Sequence, residues 1–329
     1  MIALNRLAVL ALVAISCDRP SPAPDQTKGA EQAASSDAAA RAKPSGSGVL
    51  PDRAADGPTH GTKTASLSQL VARDGLLSGR LGGSPATPVR IILSTKHSPL
   101  AYGPPVAFYR VAERIQPGLT PLTQLRAFTL GALSQAASDD TTRRYLENNA
   151  RVLADGTVRV AVVHLPPAPL RRVDVADLTQ GGLAWSWESK LVSRQTVPPD
   201  ATSMLASYQA LLMVDYVLGN LARRYALVDE KQKRLVAAED NDVFTPRGVE
   251  GAVSDGLVRL SRFMTYPAAI AERLPGLDRD TVAQLLRSRG ENLVTPKQVE
   301  EIISRKQSIQ KLIETRIKQR GKAKALALP

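Results

Sequence analysis

The sequence is poor in the residues on which several kinds of functional site depend. It has one cysteine, Cys17, so no disulfide can form within the chain. Its three histidines, His60, His97 and His164, are scattered along the sequence and indicate no zinc site. Aromatic residues make up only 4% of the chain, which argues against a surface that stacks nucleic-acid bases. The Gly-x-Ser-x-Gly motif of many serine hydrolases is also missing from the sequence.

Basic residues outnumber acidic ones. Lys and Arg number 43 against 31 Asp and Glu, which gives a net charge of +12 at pH 7 with neutral histidines. Such a charge favours an anionic partner, whether a membrane, a nucleic acid or an acidic protein. Because no compact basic and aromatic cluster accompanies the charge, we expect no nucleic-acid partner. A length of 329 residues allows one large domain or two of modest size.

A targeting segment opens the chain. Arg6 precedes the apolar run 7–15, which is too short to span a bilayer. Ser16-Cys17 directly after this run resembles the bacterial lipobox, whose cysteine is acylated and becomes the new N-terminus. The resemblance predicts a signal peptide over residues 1–16, lipidation of Cys17 and attachment to a bacterial envelope membrane, facing the periplasm or the exterior. The alternative is an ordinary signal peptide with an incidental cysteine.

Residues 17–65 are predicted to form a disordered tether. This stretch is rich in Pro, Ala, Ser, Gly, Asp and Lys and has almost no large apolar side chains. It therefore cannot bury enough apolar surface to offset its chain entropy. A random coil of about 48 residues reaches on the order of 40 Å. The tether would hold the folded part of the protein away from the membrane.

Residues 66–197 mix strand-like and helical patterns, which predicts a small α+β region. The predicted elements are a helix over 66–71 capped by Ser66, a glycine-rich loop over 79–84, a strand over 89–93, helices over 106–115 and 122–137, and a strand containing Val158, Val160 and Val162. Trp185 and Trp187, two positions apart, indicate a half-buried strand or an aromatic pair between lobes.

Residues 198–329 are predicted to be helical. One helix starts at Pro198-Pro199 with Asp200 as its N-cap, and another starts at Asp278 and ends at Gly290. Thr295-Pro296-Lys297-Gln298 is a capping box that opens the last long helix. Eight basic residues but only one acid, Glu314, lie between Arg305 and Lys324. A solvated helix face is the usual explanation, and contact with an anionic lipid or glycan is the alternative.

Two short segments about twenty residues apart carry the most specific pattern. The first, residues 214–224, is typical of a buried helix that stops at Gly219-Asn220 and then presents polar groups. The second, residues 239–244, is an acidic cluster that ends in a phenylalanine and directly follows a strand-like run. The pair resembles the catalytic and metal-binding segments of the secretory-pathway atypical kinases related to four-jointed and the Golgi casein kinase.

This resemblance implies an α+β, two-lobed fold of the atypical protein-kinase type, with a small mixed N-lobe and a larger helical C-lobe. It implies that Asp240 binds a metal and that Asp242 adds an oxygen ligand, which suits Mg²⁺ or Mn²⁺ held with a nucleotide. Lys96 and Asn220 are the implied cofactor-binding residues. From the residues alone, an Asp-Asn-Asp loop that caps its own turn is the alternative to a metal site.

The chain departs from the family pattern in three places. Ala222 stands where the family carries its catalytic aspartate, in a Gly-Asn-x-Asp-Arg pattern. Ser94 aligns with the expected strand lysine, and Lys96, two positions on, would reach the same face about 6–7 Å further along. The helix acid that pairs with this lysine falls near Pro105, and Glu113 is two turns too far along. No catalytic residue is therefore assigned.

Losing the base, the cation and its acidic partner together predicts a pseudokinase. The favoured hypothesis is a membrane-tethered, kinase-like lipoprotein that binds an envelope protein, with or without a nucleotide, and does not catalyse. The competing hypothesis is an active metal-dependent kinase, or another phosphoryl or nucleotidyl transferase, that uses Asp240 and a non-standard base. A third possibility is a structural envelope lipoprotein that keeps only the fold.

Overall fold

The computed structural model describes residues 66–73, 75–82, 85–166, 170–220, 223–237, 241, 250–288 and 290–329, and the side chains of 250–254 are not described. The predicted lipidation site Cys17 and the predicted tether lie outside these ranges, as do Ala222, Asp240 and Asp242. Within the ranges, no helix is both long enough and apolar enough to cross a membrane.

A five-stranded antiparallel sheet forms the first part of the fold. Its strands are β1 (Leu67–Arg73), β2 (Leu76–Leu81), β3 (Thr87–Leu93), β4 (Thr123–Thr129) and β5 (Thr157–His164), in the spatial order β1-β2-β3-β5-β4. Helix α1 (Gly103–Ile115) connects β3 to β4, and helices α2 (Leu130–Ala136) and α3 (Asp140–Asn149) connect β4 to β5. The strand predicted over 89–93, the helix over 106–115 and the strand after the Asp155-Gly156 turn are confirmed.

The two faces of this sheet belong to two different apolar cores. Val89, Ile91 and Leu93 of β3 join a smaller core that also holds side chains of α2 and α3. Ile92 lies between them in sequence and packs against a larger core that contains most of α1. Because side chains alternate along a strand, the sheet is buried from both sides. It therefore links α1 to α2 and α3.

The remaining elements surround one buried helix, α5 (Thr202–Leu218). They are β6 (Arg171–Asp174), α4 (Leu183–Val192), β7 (Tyr225–Asp229), β8 (Arg234–Val236), α6 (Glu250–Ser261), α7 (Ala268–Arg273), α8 (Arg279–Leu285), β9 (Arg287–Ser288), β10 (Glu291–Asn292), α9 (Pro296–Arg320) and α10 (Lys322–Ala325). Strands β6, β7 and β8 form one sheet, and β9 pairs with β10. Thirteen of the 17 residues of α5 are buried, which explains why its sequence is apolar on every side.

Two helix starts agree with the capping patterns in the sequence. The Asp278 side chain accepts a hydrogen bond from the backbone N–H of Thr281 at the start of α8. Thr295 and Gln298 form the predicted capping box at the start of α9. The predicted boundary between residues 197 and 198 stays a prediction, although β6 and α4 precede it and already contribute Val173 and Trp187 to the larger core.

Three predictions in the first region are wrong because strand pairing overrides a local helical or loop pattern. Residues 66–71 fall largely in β1, where Leu67 pairs with Leu81 of β2. The first half of the helix predicted over 122–137 is β4, which pairs with β5, and only α2 is helical. The predicted glycine-rich loop is shorter, since β2 continues to Leu81.

Three predictions further along the chain also need correction. Trp185 and Trp187 lie on helix α4 rather than on a strand. Asp200 lies in a 3₁₀ turn, Pro199–Ala201, so Ala201 is the N-cap residue of α5. Helix α8 ends at Leu285, before Gly290, because the chain turns into the β9–β10 hairpin.

Candidate functional site

The candidate site is built on the C-terminal end of α5. Gly219 adopts a left-handed conformation, with φ of 70°, and ends the helix. The next residue, Asn220, donates its backbone N–H to the Asp215 carbonyl oxygen at 2.8 Å. Its side-chain amide also donates to Asp215 Oδ1 at 3.1 Å. The turn therefore brings Asn220 back onto Asp215, where its backbone and side-chain N–H groups both find acceptors.

Arg223 closes this arrangement with a two-pronged ion pair. Its Nε lies 2.6 Å from Asp215 Oδ2, and its Nη2 lies 2.9 Å from Asp215 Oδ1. The Arg223 side chain is 2% exposed and that of Asp215 is 8% exposed, so solvent screens the pair weakly. Paired guanidinium–carboxylate contacts of this geometry are among the stronger hydrogen bonds in proteins. The pair fixes the loop that follows α5.

The same arginine joins two further parts of the chain. Its Nη2 donates to Asn241 Oδ1 at 2.9 Å, and Asn241 Nδ2 donates to the Ala237 carbonyl at 2.6 Å. Its Cζ also lies 5.3 Å from the ring centroid of Phe108 on α1. Arg223 therefore ties the end of α5 to the segment after β8 and to the helix that packs against the sheet. Sequence reasoning missed this role, although the spacing of Asp215, Gly219-Asn220 and Arg223 contains the signal.

Burial dominates the electrostatics of this carboxylate. Burial raises the pKa of Asp215, while the charge of Arg223 and the hydrogen bonds from Arg223 and Asn220 oppose that shift. Both of its oxygens already accept hydrogen bonds from these partners. Asp215 is therefore arranged to hold the loop in place, and its oxygens are not aimed at an incoming hydroxyl group.

Lys96 lies in another part of the sheet region. Strand β3 ends at Leu93, three residues before Lys96. The alternation of side chains along a strand therefore does not determine on which face Lys96 lies. Its backbone N–H donates to the Asn149 carbonyl, and its Nζ lies 3.4 Å from the Glu147 carbonyl at the end of α3. Among the described residues, Lys96 and Asn220 have no partner in common.

Arg90 is the basic residue of β3 that lies on the α1 side of the sheet. It is two positions before Ile92, which packs against the larger core from that side, and it pairs with Ser78 across β2. Arg90 is half-buried, and in the described part of the chain its guanidinium makes no hydrogen bond or ion pair. The sequence contains the signal for this placement, because Arg90 and Ile92 are two positions apart on the predicted strand and therefore share a face.

Glu113 has a structural role on α1. Its Oε2 accepts the backbone N–H of Gly118 at 3.0 Å, in the turn that follows the helix. The contact lies at the C-terminal end of α1, as expected from a position two turns beyond the usual acid. The pairing of a strand lysine with a helix acid is therefore not formed by Lys96 and Glu113.

A second buried charged cluster lies next to the first. Glu188 of α4 accepts hydrogen bonds from Arg259 of α6 and, at 3.1 Å, from the Tyr208 hydroxyl of α5. Arg259 Nη2 donates to the same hydroxyl at 2.7 Å and to the Val175 carbonyl at 3.2 Å. Burial raises the pKa of Tyr208, so its hydroxyl keeps its proton. The cluster fixes α6, the helix that follows the predicted metal-binding segment.

The two predicted metal ligands, Asp240 and Asp242, lie outside the described residues. No group of three His, Cys, Asp or Glu side chains suited to a metal occurs among the described residues. Asp240 and Asp242 flank Asn241 in sequence. Asn241 Nδ2 donates to the Ala237 carbonyl and Asn241 Oδ1 accepts from Arg223, so its side chain faces the Asp215 network.

No protein-family model and no curated protein matches the chain. A structure of hydra Fam20 with sugar matches with a TM-score of 0.57 and 13% identity, over 79% of this chain and 88% of that one. The Golgi casein kinase matches with a TM-score of 0.58 and 11% identity, over 80% of this chain and 76% of that one. Its complex with Mn/ADP gives a TM-score of 0.57 and 10% identity, over the same shares.

The chain has a two-lobed, kinase-like fold. The five-stranded sheet with α1 corresponds to the small mixed lobe, and the elements around α5 correspond to the larger helical lobe. The predicted fold class is thereby confirmed, as is the likeness to the Golgi casein kinase group. At identities of 10–13% the likeness concerns the fold, so function must be argued from the site.

Proposed function

We propose that this protein is a membrane-tethered, kinase-like binding protein of the bacterial envelope that does not transfer phosphoryl groups. The observation that carries the proposal is the closed network of Asp215, Asn220 and Arg223 at the end of α5. Ala222 directly precedes Arg223 in the sequence. A kinase needs an acceptor for the hydroxyl proton at this point. Ala222 has none, and Asp215 is already occupied by its two partners.

The cationic side of the mechanism supports the same conclusion. Phosphoryl transfer needs a cation that opposes the charge developing on the phosphates. Arg223 is held by Asp215 and is almost fully buried, and Lys96 lies beside the end of α3. Both of these cations are therefore placed for structural contacts. Arg90, whose guanidinium has no partner among the described residues, would suit a bound phosphate, but a cation alone supplies no acceptor for the hydroxyl proton. A binding role needs neither an acceptor for a proton nor a cation beside the phosphates. The two-lobed fold still offers a surface to an envelope protein.

An active metal-dependent transferase is the second candidate, and one observation favours it. Asp240 and Asp242 come four and six residues after the end of β8 in the sequence, and a neighbour in fold, the Golgi casein kinase, has been solved with Mn/ADP bound. Carboxylate oxygens suit Mg²⁺ or Mn²⁺, which would polarise the phosphates of a bound nucleotide. In that reading Asp240 and Asp242 hold the metal, while Asn241 keeps its side chain on Arg223.

A lipid anchor at Cys17 is part of the proposal. The apolar run ending at Ser16-Cys17 and the tether composition of residues 17–65 support it. Acyl chains stabilise membrane attachment by about 0.8 kcal/mol per buried methylene, so a multiply acylated cysteine would hold the protein firmly. The folded part would then meet partners within the reach of the tether.

A transfer assay tests the proposal. The full chain carrying Cys17→Ser is incubated with radiolabelled ATP, Mn²⁺ and acidic protein acceptors, beside the same chain with Asp240→Ala added. We expect no transfer above the Asp240→Ala background, and none after Ala222→Asp, because restoring one acid leaves Arg223 and Lys96 where they are. Transfer that disappears with Asp240→Ala would establish the active enzyme instead.

Thermal unfolding with ADP and Mn²⁺ shows whether the proposed binding protein also binds a nucleotide. A ligand present at 100 times its dissociation constant raises the free energy of unfolding by about 2.7 kcal/mol. A rise in melting temperature without transfer describes a nucleotide-dependent binding protein. An unchanged melting temperature describes a binding protein that works without nucleotide.

A further inference from the structure

The basic run near the C-terminus separates in the structure into two groups with different surroundings. Arg305 pairs with Glu301 on α9, and Lys306 is buried. Arg316 donates to the Ser261 carbonyl at 2.8 Å, and Arg320 donates to the Met264 carbonyl at 2.7 Å. Lys311, Lys318, Lys322 and Lys324 are exposed. Internal contacts therefore account for only half of the eight basic residues.

Arg320 brings the C-terminal ends of three helices together. It donates to the Arg194 carbonyl at 3.3 Å, just after α4, and to the Met264 carbonyl, just after α6. The Met264 N–H in turn donates to the Leu191 carbonyl of α4 at 2.8 Å. Arg320 thus satisfies carbonyl groups at helix ends, where cations interact favourably with the helix dipole.

The three segments that meet there carry basic residues but no acidic ones. Residues 189–195, 261–265 and 315–329 contain no Asp or Glu. Besides Arg316 and Arg320, they hold six exposed basic residues, which we call the basic end: Lys190, Arg194, Arg262, Lys318, Lys322 and Lys324. In the described part of the chain, no side-chain nitrogen of these six residues has a hydrogen-bond or ion-pair partner. Stability of the helix ends does not explain them, because Arg316 and Arg320 already bind the carbonyls.

We propose that the basic end is a docking surface for the anionic headgroups of a phospholipid membrane. Each Lys or Arg held near such a surface strengthens association roughly fivefold at physiological ionic strength. The six exposed residues come from three separate segments of the chain, which suits many headgroups better than one small anion. None of the six neighbours an exposed Phe, Tyr or Trp side chain within these segments, so base stacking is not offered.

The proposed anchor at Cys17 supplies the reason why a membrane, rather than another polyanion, is the partner. A tether of about 48 residues keeps the folded part within on the order of 40 Å of the bilayer, so even weak headgroup contacts are repeatedly sampled. Docking would hold the two-lobed fold in one orientation on the membrane. The inference rests on the proposed function only for this proximity, since headgroup binding itself does not need the acyl chains.

Vesicle binding tests the proposal without the anchor. The full chain carrying Cys17→Ser is sedimented with vesicles of phosphatidylcholine alone and with vesicles containing phosphatidylglycerol. We expect at least about tenfold stronger binding to the anionic vesicles, a preference that falls as salt is raised. The triple reversal Lys318→Glu, Lys322→Glu and Lys324→Glu should remove the preference, because it replaces three of the six positive charges with negative ones. It leaves the structural contacts of Arg316 and Arg320 in place.

A matched control separates this surface from net charge. The control reverses three exposed basic residues elsewhere on the fold, Arg144→Glu, Lys231→Glu and Lys233→Glu, and changes the total charge by the same amount. It should keep the anionic preference, and both variants should keep the melting temperature of the parent. Equal loss in both variants, no preference in the parent, or tighter binding to a short oligonucleotide or a sulfated polysaccharide than to anionic vesicles would overturn the proposal. An unacylated Cys17 in the wild-type protein would refute the lipid anchor but would not change the vesicle-binding result.

Discussion

Asp215 and Arg223 show how a single buried ion pair organises the candidate site. Asp215 lies on the last turn of α5, and Arg223 returns to it across the Gly219-Asn220 turn. Through Asn241 and Phe108 the same guanidinium reaches the segment after β8 and the helix beside the sheet. One residue pair therefore determines how three parts of the site are placed relative to each other.

Breaking this pair from one side should destabilise the protein strongly. Arg223→Met leaves the Asp215 carboxylate buried without its counter-charge, and we expect a loss of about 3–5 kcal/mol in the free energy of unfolding. Adding Asp215→Leu should recover part of this loss, since the second change removes the uncompensated charge. Denaturant unfolding of the two single variants and the double variant measures the coupling.

The exposed pair of Arg171 and Glu230 provides the control for that cycle. Its side chains are 52% and 65% exposed, so Glu230→Gln should cost no more than about 1 kcal/mol. If Arg223→Met costs as little as Glu230→Gln, the buried network does not hold the loop. The pseudokinase argument would then lose its structural support, because Arg223 would be available to a ligand.

At the scale of elements, the end of α5 depends on a glycine for two reasons. Gly219 has φ of 70°, and a Cβ at this position would lie 2.2 Å from Nη1 of Arg305 on α9. Gly75 has a similar φ of 75° but nothing within 4 Å of such a Cβ. We expect Gly75→Ala to cost about 1 kcal/mol from backbone strain alone. Gly219→Ala should cost more, because Arg305 must also leave its place beside α5.

Thermal or denaturant unfolding of these two alanine variants measures the difference. Adding Arg305→Ala to Gly219→Ala should reduce the extra cost of the Gly219 substitution, because the side chain that clashes with the new Cβ is then removed. Equal losses for Gly75→Ala and Gly219→Ala would mean that Arg305 moves aside freely and that α9 does not fix the turn.

Strand β3 leads to a prediction about any nucleotide that binds. Arg90 lies on the α1 side of the sheet, whereas Lys96 follows the strand and contacts the end of α3. We therefore expect Arg90→Gln to abolish a rise in melting temperature caused by ADP with Mn²⁺, and Lys96→Gln to leave it unchanged. The opposite pattern would restore the assignment of Lys96 made from the sequence.

How far the sequence determines these elements depends on the range of the interactions that form them. The capping box at Thr295 and the cap at Asp278 are local, and both were predictable. The pattern at Ser66 looks equally local, yet β1 forms because it pairs with β2. Strand β4 is fixed by β5, which lies some thirty residues later, so no short window of sequence reveals it.

The site was predictable in part for the same reason. The helix that ends at Gly219-Asn220 follows from composition and from the glycine. The contact of Arg223 with Asp215 depends on how the chain returns to α5 after the helix ends. The position of Lys96, away from Asn220, depends on where β3 ends. Asp240 and Asp242 remain predictions from the resemblance, since they lie outside the described residues.

For the whole molecule, the first prediction concerns the anchor at Cys17. The full chain expressed in a bacterium should fractionate with membranes, and Cys17→Ser should release it or leave it with an uncleaved signal peptide. Mass measurement of the N-terminal peptide checks for acyl chains directly. A wild-type protein without acyl mass, together with a variant that stays equally membrane-bound and processed, would contradict the lipoprotein assignment.

The placement of the five-stranded sheet between two apolar cores has a consequence for how the molecule comes apart. Val89 and Ile91 of β3 are buried in one core, and Ile92 between them packs against the other. Neither core can lose its packing without exposing the backbone hydrogen bonds of the strand that the other core also covers. The amide hydrogens of β3 and β5 should therefore exchange with solvent only when both cores open, and the two cores should melt in a single cooperative transition.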